Sequence, residues 1–191
     1  MISIIIPTIR GRERWLRRCL ASYRATTPEP HEFVIERDHP ACGLAWAAGG
    51  ARARGDYLHF TADDVSALPG WAEAAASFAD DGCLPCPRVL NPDLTLQSCG
   101  TWGAEMPDGA PTDIARIPFL SREMWEHGGW CLPTHYYTDN WIAWRGIELG
   151  YPTLICREYE LVHHFASEGR IDEQMPADHE VYLRWVAGDR R

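Results

Sequence analysis

Residues 2–65 alternate apolar runs with helix-period stretches, and they end on a pair of acids. That order constrains the fold more than any other feature. Ile2-Ser-Ile-Ile-Ile-Pro-Thr8 is apolar without alternation, as in a strand covered on both faces of a parallel sheet. Pro7 is expected to end it. Trp15, Leu16, Cys19, Leu20 and Tyr23 fall at helical spacing across residues 11–26, with arginines on the other face. Pro28 and Pro30 stop that helix. Glu32-Phe-Val-Ile-Glu36 reads as a second strand and the Ala/Gly-rich residues 43–54 as a tightly packed helix. Tyr57-Leu-His-Phe60 reads as a third strand running into Thr61-Ala-Asp-Asp-Val65. Strand, helix, strand, helix, strand is a doubly wound α/β opening.

The remainder is less regular. Residues 71–78 read as a helix, 83–89 as a strand, Asn91-Pro-Asp93 as a turn and 97–109 as a Gly-rich loop. A strand is expected over 117–120. Ser121 should cap a helix over 122–127 that Gly128-Gly129 ends. Thr138 to Leu149 is a helix closed by Gly150, residues 154–165 carry one or two strands, and 171–191 form a helix or tail. With no repeat, low-complexity tract or linker, 191 residues read as a single domain.

Eighteen basic residues, all of them Arg, face 27 acidic ones for a net charge of −9. That balance argues against generic nucleic-acid binding, which depends on neutralising phosphates. Arg10, Arg12, Arg14, Arg17 and Arg18 nevertheless crowd the start of the chain, where a local anion site is compatible with the acidic total. Seven scattered Cys include one lone pair, Cys83-Leu-Pro-Cys86, without the second pair that structural zinc needs. Reduced thiols are expected. No apolar run approaches a membrane span and no basic leader opens the chain, so a cytoplasmic protein with at most a membrane-surface contact is expected.

In an open α/β sheet, ligands bind beyond the carboxyl ends of the strands. Three segments lie at such ends: Pro7-Thr8-Ile9-Arg10, Glu36-Arg37-Asp38 and Asp63-Asp64. Adjacent carboxylates repel unless a cation separates them. Mg²⁺ or Mn²⁺ takes such oxygen ligands and completes its shell with phosphates; the alternative is that the two acids cap a turn. His163-His164 closes a strand, so the two rings should face opposite ways and only one can serve a site. Asp139 is either an acidic residue at a helix N-terminus or a general base, with Glu105 and Asp108 as the next candidates for a base. Trp102, Trp130, Trp141 and Trp144 are either core residues or faces on which sugar rings or bases stack.

Several segments, in this order, resemble family 2 glycosyltransferases of the GT-A fold, close to the bacterial rhamnosyltransferase-like branch. Ser3-Ile-Ile-Ile-Pro-Thr8 is similar to the family's opening strand. Ala53-Arg-Gly-Asp-Tyr-Leu-His-Phe-Thr-Ala-Asp-Asp-Val65 resembles the run into its acidic metal motif. Pro87-Arg-Val-Leu-Asn-Pro-Asp-Leu-Thr-Leu-Gln-Ser-Cys-Gly100 is similar to the turn-rich segment that follows, and Arg122-Glu-Met-Trp-Glu-His-Gly-Gly129 to the helix before the acceptor loop. Tyr137-Thr-Asp-Asn-Trp-Ile-Ala-Trp-Arg145 with Gly150-Tyr151 resembles the base motif, and Val162-His-His164 a late histidine.

The resemblance implies an α/β fold with a mostly parallel central sheet. Residues 1–65 would be the nucleotide-binding half and 66–170 the acceptor and metal half. It implies a metal-dependent, inverting transfer from a nucleotide-sugar donor to a saccharide or lipid-linked saccharide. Asp64, with His163 or His164, would hold Mn²⁺ or Mg²⁺, and Asp63 would stand beside it. Asp139 would be the base. Pro7, Thr8, Arg10, Glu36 and Asp38 would line the donor pocket. The sequence departs from the family at Glu36, often Asp; at Trp46-Ala47, often Arg-Asn; at Ala62, the first acidic position; and at Thr138, often Glu. Two alternatives remain: an acceptor that is modified nucleic acid or protein, and a non-catalytic sugar-nucleotide-binding module.

Overall fold

The computed structural model describes residues 1–97, 107–165 and 172–189; Cys99, Trp102 and Glu105 lie outside the described residues. The opening alternates as expected: β1 (Ile2–Thr8), α1 (Glu13–Thr26), β2 (His31–Arg37), α2 (Cys42–Arg52) and β3 (Tyr57–Phe60). Then come β4 (Val65–Ala67), α3 (Trp71–Asp80), β5 (Leu84–Leu90), β6 (Phe119–Ser121), α4 (Arg122–Glu126), α5 (Thr138–Leu149), β7 (Thr153–His163) and α6 (Met175–Val186).

The strands form two sheets. One has the order β2-β1-β3-β6, with β1 parallel to β2 and β3 and with β6 antiparallel at the edge. The other has the order β4-β7-β5, parallel between β5 and β7 and antiparallel between β4 and β7. Pro7 does not end β1; it continues the strand opposite Glu36. The β1–β3 ladder stops at Ile5 and Phe60, so the N–H that Pro7 lacks falls beyond it. Of the one or two strands expected over 154–165, one long strand forms, Thr153–His163. Its register with β5 shifts at Pro87/Arg88 instead of breaking.

β1 is covered on both faces, as its unbroken apolar run requires. Ile2, Ile4 and Ile6 pack with Leu16, Cys19 and Tyr23 of α1 and with α3 and β7. Ile5 packs the other way, with Trp46 of α2 and Ile142 and Ala143 of α5. Ser121 caps α4 by accepting the Met124 N–H at 3.2 Å. Gly150 ends α5 in the left-handed conformation that favours glycine.

A buried polar chain ties the two sheets together. The Tyr159 hydroxyl donates to the Ile117 carbonyl, so it accepts from Nδ1–H of His59 at 2.9 Å. The Tyr23 hydroxyl lies 2.7 Å from Nε2 of His59 and donates to the Thr61 hydroxyl at 2.9 Å. Burial lowers the His59 pKa to about 3, which keeps the ring neutral. This chain fixes α1, β3 and β7, the elements that deliver the groups described next.

Candidate active site

After β3 the chain turns across the carboxyl end of β1, and Asp63 and Asp64 are both buried there. One Asp63 oxygen accepts the Thr8 hydroxyl at 2.6 Å and Nε of Arg12 at 3.0 Å. The other lies 2.6 Å from Nη2 of Arg12, which gives a parallel two-bond grip. The same Nη2 lies 3.0 Å from Oδ2 of Asp64. The repulsion expected between neighbouring acids is thus offset by the protein's own guanidinium. Burial pushes the Asp63 carboxyl up, and the bonds from Thr8 and Arg12 offset only part of that rise. Arg12 stands at the N-terminus of α1. The sequence marks it only as one of five arginines crowded where a local anion site is expected.

The neighbouring histidines diverge, as alternation along a strand requires. Nε2 of His163 lies 3.5 Å from Oδ2 of Asp64. The His164 ring instead bonds the Ser66 hydroxyl at 2.9 Å and stacks on Trp15, and only its backbone N–H reaches the Asp64 carbonyl, at 2.9 Å. Among the described residues no three His, Cys, Asp or Glu side chains converge as a metal site. Asp64 and His163 still make a two-group donor set. That fits a hard divalent ion which takes most of its ligands from substrate phosphates.

On the donor side, Asp38 adopts a left-handed conformation. Its carboxylate accepts the Arg10 backbone N–H at 3.0 Å, and its own N–H bonds the Thr8 carbonyl at 3.0 Å. These residues therefore shape a turn at the strand ends, and the Arg10 side chain is exposed. Glu36 is buried and already paired: one oxygen meets Arg52, the other meets Nε2 of His39 at 2.8 Å. Trp46, standing where the family often has Arg, packs on Phe60 and donates its indole N–H to the Thr61 carbonyl at 3.1 Å. It braces the acidic loop from behind.

Asp139 opens α5 just after Tyr137, which is itself left-handed (φ 64°). The Asp139 carboxylate accepts the Asn140 N–H at 3.0 Å and has no ion pair among the described residues. Burial pushes this carboxyl up, partly countered by that N–H and by the charge of Arg116. Cys42 links the two acidic regions. Its thiol is pushed up to about 12, by burial first and then by the charges of Asp139, Asp64 and Asp63. All three carboxylates are thus close enough to the start of α2 for their charge to reach Cys42. Gly43 allows this approach. A Cβ there would sit 1.8 Å from the Leu132 carbonyl, and its N–H bonds the Thr134 carbonyl at 2.9 Å.

The tryptophans divide. Trp130 and Trp141 are core residues, while Trp144 is half-buried and stacks on Trp141 at 4.8 Å. Residues 172–189 contribute more than a tail. Asp178 of α6 accepts the backbone N–H groups of His135 and Tyr136 at 3.0 and 2.9 Å. Tyr137 stacks on Tyr182 and lies tilted against His179, and Trp185 meets Trp141 edge-on. The helical spacing of 178, 182 and 185 was the available signal for this face. Asp108 accepts the Arg157 N–H at 2.8 Å on the exposed surface, and Cys83 and Cys86 are free thiols. No helix among the described residues is long and apolar enough to cross a membrane.

No protein-family model matches the sequence, and no curated protein matches it. The structure is similar to that of S. aureus TarS residues 1–349. The TM-score is 0.72 at 12% identity, over 98% of this chain and 64% of that one. A second S. aureus TarS structure matches with a TM-score of 0.70 at 12% identity, over 98% of this chain and 39% of that one. The chain therefore spans less than two-thirds of the proteins it resembles. The architecture is the GT-A fold, a mixed α/β domain with parallel sheet elements. The likeness stops at the fold and does not reach the rhamnosyltransferase-like branch.

Proposed function

We propose that the chain is an inverting glycosyltransferase that moves a sugar from a nucleotide-sugar donor to an acceptor hydroxyl. TarS, whose fold it shares, is a family 2 glycosyltransferase. The observation that carries the reading is local. The charges of Asp63, Asp64 and Asp139 all reach Cys42 at the start of α2, and of the three only Asp63 and Asp64 are ion-paired among the described residues.

The donor nucleoside would lie against Thr8 and Glu36, with its diphosphate beside Asp64 and His163. A divalent ion held by Asp64 and His163 would offset the charge that builds on the departing diphosphate. Asp139 would accept the acceptor's proton. Its raised pKa and lack of an ion pair suit a base that must take a proton and later release it. A double displacement needs a nucleophilic carboxylate at the anomeric carbon. Asp63 is already committed to Thr8 and Arg12, which favours one direct displacement and inversion. The rings of Tyr137, Tyr182 and Trp144 beside Asp139 suit a saccharide, free or lipid-linked, because sugar faces stack on aromatic rings.

The test is a panel of UDP-, GDP-, dTDP- and CMP-sugars with Mn²⁺ and saccharide acceptors, read as free nucleotide released. One donor should turn over and Asp139→Asn should lower that turnover about 10²–10⁴-fold. Tight nucleotide binding with no release from any donor would make the chain a binding module instead.

A further inference from the structure

The acid pair carries its own counter-ion, and the two acids hold it unequally. Arg12 makes two bonds to Asp63, Nε at 3.0 Å and Nη2 at 2.6 Å, and one contact to Asp64, at 3.0 Å. Thr8 anchors Asp63 from the far side at 2.6 Å, so that half of the arrangement is fixed. The contact to Asp64 is the exchangeable half. It involves Oδ2, the same oxygen that faces Nε2 of His163 at 3.5 Å. A divalent ion shared by Asp64 and His163 must take that oxygen from Nη2.

Charge decides when the exchange is favourable. Two carboxylates and one guanidinium leave a net of −1 in a pocket where the acids are buried and the Arg12 side chain is 13% exposed. A bare divalent ion would reverse the sign and press against a guanidinium that cannot leave Asp63. Uncompensated buried charge is costly. A nucleoside diphosphate brings the negative charge that removes this penalty.

We propose that Arg12 closes Asp64 to divalent ions until a nucleoside diphosphate arrives, so that ion and nucleotide enter together. Arg12 stays anchored on Asp63 through Nε and Nη2, and the second N–H of Nη2 passes from Asp64 to a diphosphate oxygen. The inference rests on the glycosyltransferase reading only for the identity of the nucleotide.

The test is Mn²⁺ binding, followed by electron paramagnetic resonance and calorimetry, with the protein alone and with saturating UDP or GDP. Wild type should bind Mn²⁺ alone weakly, and Arg12→Gln should bind it about tenfold or more tightly, as loss of one close positive charge implies. Arg17→Gln, an exposed arginine on the same helix, should match wild type. If Arg12→Gln does not fold, Arg12→Lys serves instead. It keeps the charge but cannot span both carboxylates, and it should bind Mn²⁺ alone more tightly than wild type does. Equal affinity for Mn²⁺ alone in wild type and the folded Arg12 variant overturns the proposal. So does an equal gain in Arg17→Gln, which would assign the effect to the general field. Failure of every nucleotide to bind sinks the glycosyltransferase reading, and the ion-alone comparison still decides the role of Arg12.

Discussion

Asp63 follows β3 and Asp139 lies in the first turn of α5, and burial pushes both carboxyls up. Their partners differ. Asp63 accepts from Thr8 and twice from Arg12, so its capacity is used within the protein. Asp139 accepts one backbone N–H and senses the Arg116 charge without pairing to it. The first is built to hold a geometry. The second is left able to exchange a proton with something that is not protein. Environments that separate two like groups in this way assign them different roles.

The sharpest test of that contrast is Asp139→Asn. Turnover should fall about 10²–10⁴-fold, the range for losing a general base, with donor affinity unchanged in calorimetry. A raised carboxyl pKa opposes folding once pH exceeds the unfolded value, so the same variant should be more stable at neutral pH and not at pH 3. Loss of folding in Asp139→Asn would break the comparison by making Asp139 structural.

The polar chain behind both regions gives the next largest effect. His59 is held near pKa 3 in the fold and returns to about 6.5 when unfolded. Its folded value is depressed, so its contribution is complete above pH 6.5 and is lost as pH falls towards 3. The full loss is on the order of 4 kcal/mol. Urea unfolding across that window should show the slope, and His59→Gln should flatten it.

Asp63→Asn should do the reverse of Asp139→Asn. It strands a guanidinium that is largely enclosed, so stability should drop by about 3 kcal/mol. A melting temperature like that of wild type would show that the Arg12 grip contributes little and would erase the contrast. The smallest effect is expected at Asp178→Asn, which weakens the hold of α6 on the backbone of His135 and Tyr136. Charge-assisted bonds of this kind contribute about 1.5–3 kcal/mol. Acceptor KM should rise several-fold while donor affinity holds, and a change in donor affinity alone would place α6 on the donor side.

The parts legible in the sequence were those with a local period or a local stop. The unbroken run at Ile2–Thr8, the helical spacing of Leu16, Cys19 and Tyr23, the Ser121 cap and the Gly150 terminus each need only a few neighbours in the chain. The positions of Asp63-Asp64 after a strand and of Asp139 at a helix start followed from the same reading. β4 is not legible in the sequence, because its pairing with β7 joins Val65 to His163, far along the chain.

What the sequence by itself determined is the order of elements and the short list of acids at their ends, because backbone propensity and side-chain periodicity act over one or two turns. Which acid is paired was decided only in three dimensions. Arg12 lies 51 residues from Asp63, and nothing local distinguishes it from its four neighbouring arginines. Tyr23, His59 and Tyr159 become one chain only when α1, β3 and β7 meet. The same holds for His163 against His164 and for Asp178 on the acceptor loop. Hydrogen bonds and charges act through space at about 3 Å, and the chain path that brings distant residues to that distance is set by burial of the apolar runs, not by the polar residues themselves.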